Sequence, residues 1–157
     1  VNFAQQAKPF GFFKSKIYVS GGEVASHEIA GKMGNDYPDN VWSNTYELWY
    51  HSPTPAHKAF QEKLAKLSGK KETAMWPVLA WIGVKFYATA ATKAKSFDTD
   101  KIIKALEGLT IDTPVGSRTI DPKTHQANTG QFWGPMVKKK GVKYRVMDPV
   151  TFIPAKL

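Results

Sequence analysis

The spacing of apolar residues changes character along the chain. Between Pro55 and Glu107 apolar side chains recur at helical intervals, and Phe60, Leu64 and Leu67 form one stripe with lysines opposite it. After residue 108, short runs of β-forming residues alternate with turn residues, which predicts strands near 115–120, 131–138 and 142–152. The chain therefore changes from a helical to a β-rich pattern near residue 110.

The first part of the chain alternates between helical and extended patterns. A helix-compatible stretch at 2–10 precedes the β-rich run Lys16–Ser20, which we expect to be a buried strand. Ser26 can cap a short helix that reaches Met33, and Val41–Tyr46 follows as a second strand. Helix, strand, helix and strand in this order are typical of a parallel sheet with crossover helices. We predict an α/β fold in which strands 16–20 and 41–45 are parallel neighbours.

Three helices are predicted in the middle of the chain. The first begins at Pro55 and ends at Ser68–Gly69, and the last is capped by Asp98 or Thr99 and ends at Glu107. The helix between them, from Trp76 to about residue 95, is apolar around most of its circumference. That composition predicts a helix that is largely buried.

Charge and composition narrow the class of protein. The chain has 157 residues, 42% of them hydrophobic, and a net charge of +9, which is globular rather than disordered. Its lysines are dispersed apart from Lys138–Lys140, which favours a solvated basic surface over a nucleic-acid interface. Cysteine is absent, which excludes disulfides and thiolate chemistry. Because the chain opens at Val1 in a helix-like stretch, we expect a processed, cut or incompletely represented protein.

No catalytic motif stands out. The four histidines lack the spacing of a metal site, and neither a nucleophile elbow nor a complete phosphate-binding loop is present. The Gly21-Gly22 pair after a strand is more typical of a tight turn than of a phosphate loop. We therefore expect no enzyme activity, no metal and no cofactor.

Binding chemistry remains, and it has three candidate positions. In a parallel α/β sheet the loops that follow the strands form the ligand crevice. The loop after Lys16–Ser20 carries Glu23, whose carboxylate could accept a hydrogen bond from a ligand ammonium or hydroxyl, with a plain surface glutamate as the alternative. Tyr46 at the end of the second strand and Trp76 at a helix start could wall a pocket or simply pack in the core.

Several segments together resemble a known family. Asp112–Gly116, Ile120–Pro122 and His125–Ala127 resemble the C-terminal signature of the branched-chain-amino-acid type of periplasmic solute-binding protein, the receptor of ABC importers. Lys101–Gly108 is similar to the helix that precedes that signature in the family. The resemblance covers essentially the whole chain, but only the C-terminal part of the family's length.

The resemblance implies a type I periplasmic-binding-protein fold, with a parallel sheet, flanking helices and a C-terminal antiparallel ribbon. Residues 1–44 would then belong to the second lobe, residues 45–110 to the first, mainly helical lobe, and residues 111–157 to the β-rich return to the second. The partners it implies are the missing N-terminal part of the same receptor and the membrane permease of the importer. The location it implies is the periplasm, or the outer surface with a membrane tether.

The resemblance also implies a ligand and its contacts. The ligand would be a small carboxylic acid such as a branched-chain amino acid, with the family's loop acid at Gly22 or Glu23 and a pocket aromatic at Trp76. The bulk of Trp42, Tyr46 and Trp76 leaves an aromatic or larger organic acid as an open alternative. A ligand-sensing domain of the same fold is the alternative function.

Overall fold

The computed structural model describes residues 1–21 and 23–155 and divides the chain into two compact units. The sheet unit consists of Val1–Leu48 together with Gln131–Ile153. The helical unit consists of the continuous stretch Trp49–Gly130, with residues 154–155 of the C-terminal tail. The helical unit is therefore inserted between two segments of the sheet unit.

The elements occur in the order expected of an α/β protein. The helices are α1 (Asn2–Ala7), α2 (His27–Met33), α3 (Pro55–Ser68), α4 (Trp76–Ala94) and α5 (Thr99–Leu106). The strands are β1 (Tyr18–Ser20), β2 (Val41–Thr45), β3 (Thr110–Thr113), β4 (Gly116–Thr119), β5 (Gln131–Val137), β6 (Val146–Met147) and β7 (Thr151–Ile153).

The sheet unit is built on one mixed sheet with the strand order β1-β2-β5-β6, in which β7 also pairs with β5. β1 and β2 are parallel neighbours, with Val19 opposite Trp42, which confirms the prediction for these strands. β5 is antiparallel to β2 and places Gly134 opposite Ser43. The strands after β4 are antiparallel as expected, and they extend the main sheet.

Local capping signals set the helix boundaries. The Ser26 hydroxyl accepts a hydrogen bond from the Ile29 backbone N–H at the start of α2. Asp98 does the same for α5, where its carboxylate accepts from the Lys101 N–H at 3.1 Å. Each cap satisfies one of the backbone donors that the first turn of a helix leaves unpaired, so these helices begin where the sequence predicts.

The core of the helical unit lies between α4 and the hairpin β3–β4. Val78, Ile82 and Phe86 on one side of α4 pack with Ile111 and Val115 from the hairpin. The sequence pattern missed β3. Residues 111–130 group with the helical unit, because the hairpin buries its apolar side chains against α4. The assignment of the units to two lobes stays a prediction.

Two segments that were predicted to be buried are partly exposed. β1 leaves Val19 and the preceding Ile17 largely exposed, although a buried strand was expected. α4 buries Val78, Ile82, Phe86 and Ala90 but exposes other apolar side chains, among them Val84 at 70%. An apolar composition indicates that a surface can be buried against another element. The described residues cover only one side of β1 and one side of α4, so the other side of each remains exposed.

Candidate functional site

One edge of the sheet unit gathers the ends of three strands. β1 and β2 are parallel, so Ser20 and Thr45 finish at the same edge, and the antiparallel β5 begins there with Gln131. In open α/β sheets ligands bind outside the carboxyl ends of the parallel strands. This edge is therefore the candidate ligand-binding edge of the sheet unit.

Polar side chains fix the backbone at this edge. The Ser43 hydroxyl donates to the Ser20 carbonyl at 2.8 Å, and the side-chain amide of Asn44 donates to the side-chain oxygen of Gln131. A Cβ placed on Gly21 would lie 3.7 Å from Asn44 Oδ1, so the loop after β1 runs in contact distance of that amide. The neighbouring strands thus hold the start of the loop in a defined position.

The loop after β1 carries two of the predicted ligand contacts. Gly22 and the side chain of Glu23 lie outside the described part of the chain. The backbone from Glu23 to Ala25 forms a single 3₁₀ turn that leads into α2. The buried Tyr37 ties this turn to the sheet unit, because its hydroxyl donates to the Val24 carbonyl at 2.9 Å.

The two predicted aromatic contacts belong to different units. Tyr46 directly follows β2 at the candidate edge and is 37% exposed. Trp76 is the first residue of α4 in the helical unit and is 51% exposed. Both rings therefore have solvent-accessible surface that a ligand could cover. That Glu23, Tyr46 and Trp76 share one cleft stays a prediction.

Sequence reasoning missed the amide pair of Asn44 and Gln131. Asn44 is 5% exposed, which is unusual for an amide unless it is hydrogen-bonded. The position of Asn44 at the end of a predicted strand indicated that it could lie at the ligand-binding edge. The sequence around Gln131 contained no such indication, because β5 reaches this edge only through an antiparallel pairing with a strand far away in the sequence.

Charged groups with displaced pKa values lie in the helical unit. The Asp121 carboxylate accepts hydrogen bonds from the backbone N–H groups of Thr124 and Lys123, at 2.6 Å and 2.9 Å. These bonds favour the ionised form and lower the pKa of Asp121. The pKa of Glu107 is lowered mainly by its hydrogen bond with Lys104. These groups hold the turns around the hairpin.

Metal binding and membrane insertion find no support in the described residues. Over the side chains of residues 1–21 and 24–155, no group of three or more metal-ligating side chains comes together. Across the same residues, no helix combines the length and the apolarity needed to cross a membrane.

Comparison with known proteins links this fold to one family. The profile of the family described as periplasmic binding protein matches residues 1–141. No curated protein sequence matches the chain.

Solved structures of solute-binding proteins share the fold. The solute-binding protein of an ABC transporter from Rhodopseudomonas palustris HaA2, in complex with p-hydroxybenzoic acid, is 22% identical with a TM-score of 0.75 and covers 98% of this chain. The leucine binding protein LivK from Thermotoga maritima MSB8 is 21% identical with a TM-score of 0.71 and covers 96% of the chain. The chain spans 41% and 39% of these two proteins.

Proposed function

Because the chain belongs to the periplasmic binding protein family, we propose that it is part of the solute-binding receptor of an ABC-type importer. The family consists of binding proteins rather than enzymes, in agreement with the lack of catalytic motifs in the sequence. The observation that carries the proposal is the sheet edge where the loop after β1, Tyr46 and the Asn44–Gln131 amide pair meet at the carboxyl ends of parallel strands.

In this proposal the two units belong to two lobes that close over the ligand. The sheet unit is part of the second lobe and the helical unit is part of the first. The remainder of the receptor, which the solved relatives contain and this chain does not span, completes the first lobe. The receptor works in the periplasm, or tethered outside the membrane, and delivers its ligand to the permease.

The ligand we propose is a small carboxylic acid. The solved relatives include proteins named for p-hydroxybenzoic acid and for leucine, so both aromatic acids and branched-chain amino acids are candidates. Tyr46 and Trp76 favour a ligand with a flat or bulky apolar body, because aromatic side chains contribute large contact areas. Glu23 favours a ligand that carries an ammonium group or another hydrogen-bond donor.

Two substitutions in the longest receptor polypeptide that carries this sequence test the site. Trp76→Ala removes apolar contact area and should weaken every ligand by about tenfold or more, at about 25 cal/mol per Å² of lost burial. Glu23→Gln replaces a charged hydrogen-bond acceptor by a neutral one and should cost about 1–1.5 kcal/mol, which corresponds to roughly 5- to 10-fold weaker binding of ligands that carry an ammonium or hydroxyl donor at this end. Titration calorimetry with leucine and with benzoic acid, which has no donor apart from its carboxyl group, separates these effects.

Matched controls keep the test specific. Phe97→Ala removes an exposed aromatic ring just beyond α4, and Glu28→Gln neutralises an exposed glutamate in α2. Neither control should change the affinity for either ligand. If Trp76→Ala and Glu23→Gln behave like these controls with every ligand that the wild type binds, neither residue belongs to the site.

A further inference from the structure

The side-chain amide of Gln131 uses only one of its two ends within the sheet unit. Gln131 is the first residue of β5, lies at the candidate ligand-binding edge and is half-buried. Its side-chain oxygen accepts a hydrogen bond from the Asn44 amide. Its nitrogen, Nε2, donates to no acceptor in the described part of the chain. The edge therefore carries a pair of N–H groups that the protein itself leaves available.

Asn44 determines which end of the Gln131 amide is available. Strand alternation places both side chains on the same face of the sheet, since Asn44 lies opposite Trp133 and Gln131 is two residues before Trp133. Asn44 is 5% exposed, and its Oδ1 lies toward the loop after β1, 3.7 Å from a Cβ placed on Gly21. If the Gln131 amide turned by half a rotation, its N–H groups would face those of Asn44. Gln131 therefore presents a donor rather than an acceptor.

Neighbouring hydroxyl groups at this edge donate their protons inside the sheet unit. The Ser43 hydroxyl donates to the Ser20 carbonyl at 2.8 Å, and the Thr45 hydroxyl donates to the Glu47 carbonyl at 3.0 Å. Ser43 and Thr45 are also buried, at 0% and 2% exposure. Neither hydroxyl competes with Gln131 as a donor to a bound molecule.

We propose that Gln131 is a specificity-determining contact, which donates a hydrogen bond to a hydroxyl or carbonyl oxygen that the ligand carries in addition to its carboxylate. Asn44 is the positioning residue for this contact. The inference rests on the proposed function, in which closure of the lobes removes water from the ligand. A ligand without such an oxygen would leave the N–H groups of Gln131 buried and unpaired, and sites of this kind reject such ligands.

This contact favours one of the two candidate ligand classes. The side chain of leucine has no hydrogen-bond acceptor, and an ammonium group would bring a second donor against Gln131. A hydroxylated aromatic acid supplies both the oxygen and a ring that aromatic side chains can contact. The ligand class we infer is therefore an aromatic acid with a hydroxyl or carbonyl substituent.

Three benzoic acids with para substituents of similar size test the contact. The hydroxyl of p-hydroxybenzoic acid can accept a hydrogen bond, the methyl of p-methylbenzoic acid cannot, and the amino group of p-aminobenzoic acid acts mainly as a donor. Titration calorimetry is carried out on the longest receptor polypeptide that carries this sequence. The wild type should bind p-hydroxybenzoic acid about tenfold more tightly than p-methylbenzoic acid, and should bind p-aminobenzoic acid no more tightly than p-methylbenzoic acid.

Two variants separate ligand contact from a purely structural role. Gln131→Met keeps the length of the side chain without the amide and should reduce the preference for hydroxyl over methyl to about onefold. Asn44→Asp replaces the donor by an acceptor, so that Gln131 turns its N–H groups inward and its oxygen toward the ligand. Binding of p-aminobenzoic acid should then strengthen relative to p-methylbenzoic acid. Gln6→Met changes an exposed glutamine of α1 and should leave every ratio unchanged.

The ratio between ligands decides the outcome. If Gln131→Met weakens all three acids equally, or lowers only the melting temperature, the amide is structural and the proposal is overturned. Gln131→Met decides alone if Asn44→Asp does not fold. A wild type that binds leucine but none of the three benzoic acids would overturn the inference and leave the receptor function standing. A wild type that binds neither leucine nor any benzoic acid would count against the proposed function, and this inference would fall with it.

Discussion

Thr54 should contribute more stability than an ordinary helix cap, because its hydroxyl makes two hydrogen bonds. It accepts one from the His57 backbone N–H at 3.0 Å, which caps α3, and it donates one to the Pro114 carbonyl at 2.7 Å in the hairpin turn. Loss of a threonine cap costs about 1 kcal/mol and loss of a further hydrogen bond about another 1 kcal/mol. We expect Thr54→Ala to lower the free energy of unfolding by about 2 kcal/mol.

Urea unfolding followed by tryptophan fluorescence provides the measurement, since Trp76 and Trp81 lie in the helical unit. At a slope of about 1–3 kcal/mol per M the unfolding midpoint should fall by roughly 1 M. Thr54→Ser keeps the hydroxyl and should lose much less. Among the described residues the Asp98 side chain makes only its capping bond with the Lys101 N–H, so Asp98→Ala should cost about half as much. The reasoning would be refuted if Thr54→Ala cost no more than Asp98→Ala.

Two further predictions concern the backbone and pH. Gly134→Ala should destabilise the sheet unit by about 3 kcal/mol or abolish soluble expression, because its Cβ would overlap the carbonyl oxygen of Pro149 and the side chain of Met147. Thermal melting measures the loss of stability. Gly31→Ala is the control, because its Cβ has only ordinary contacts and should not lower the melting temperature. The folded-state pKa of Asp121 is depressed, so its stabilising contribution should be complete above the ordinary value of 3.8 and disappear as the pH falls through the lower folded value. The difference in unfolding free energy between wild type and Asp121→Asn, measured down this acid range, should shrink with falling pH, and a constant difference would contradict the assignment.

Local signals in the sequence were sufficient for the helices and the parallel strand pair. Ser26 and Asp98 start helices because a side-chain oxygen beside the first turn satisfies a backbone N–H wherever the helix later packs. The pairing of β5 with β2 was not predictable in this way. Strand pairing depends on packing between segments that are far apart in the chain, and the sequence of β2 or β5 does not indicate which strand it pairs with.

The candidate site was predictable to a similar extent. Tyr46 was expected at the end of a strand and lies there, because a strand's end can be inferred from its own sequence. The Asn44–Gln131 amide pair depends on β5 and was therefore missed. Apolarity also left the partner undetermined for α4, since the same residues suit packing against a helix, a hairpin or a sheet.

The insertion of the helical unit between Leu48 and Gln131 links the folding of the two units through the chain itself. To pair β2 with β5, the protein must bring together the ends of a stretch of about 80 residues, which costs on the order of 4 kcal/mol of loop-closure entropy if that stretch is unfolded. A folded insert holds its two ends within the span of a compact body and removes most of that cost. Loosening the insert by Thr54→Ala should therefore speed hydrogen exchange at the β2 amides as well, even without a broken contact there, and unchanged exchange at β2 would contradict this coupling.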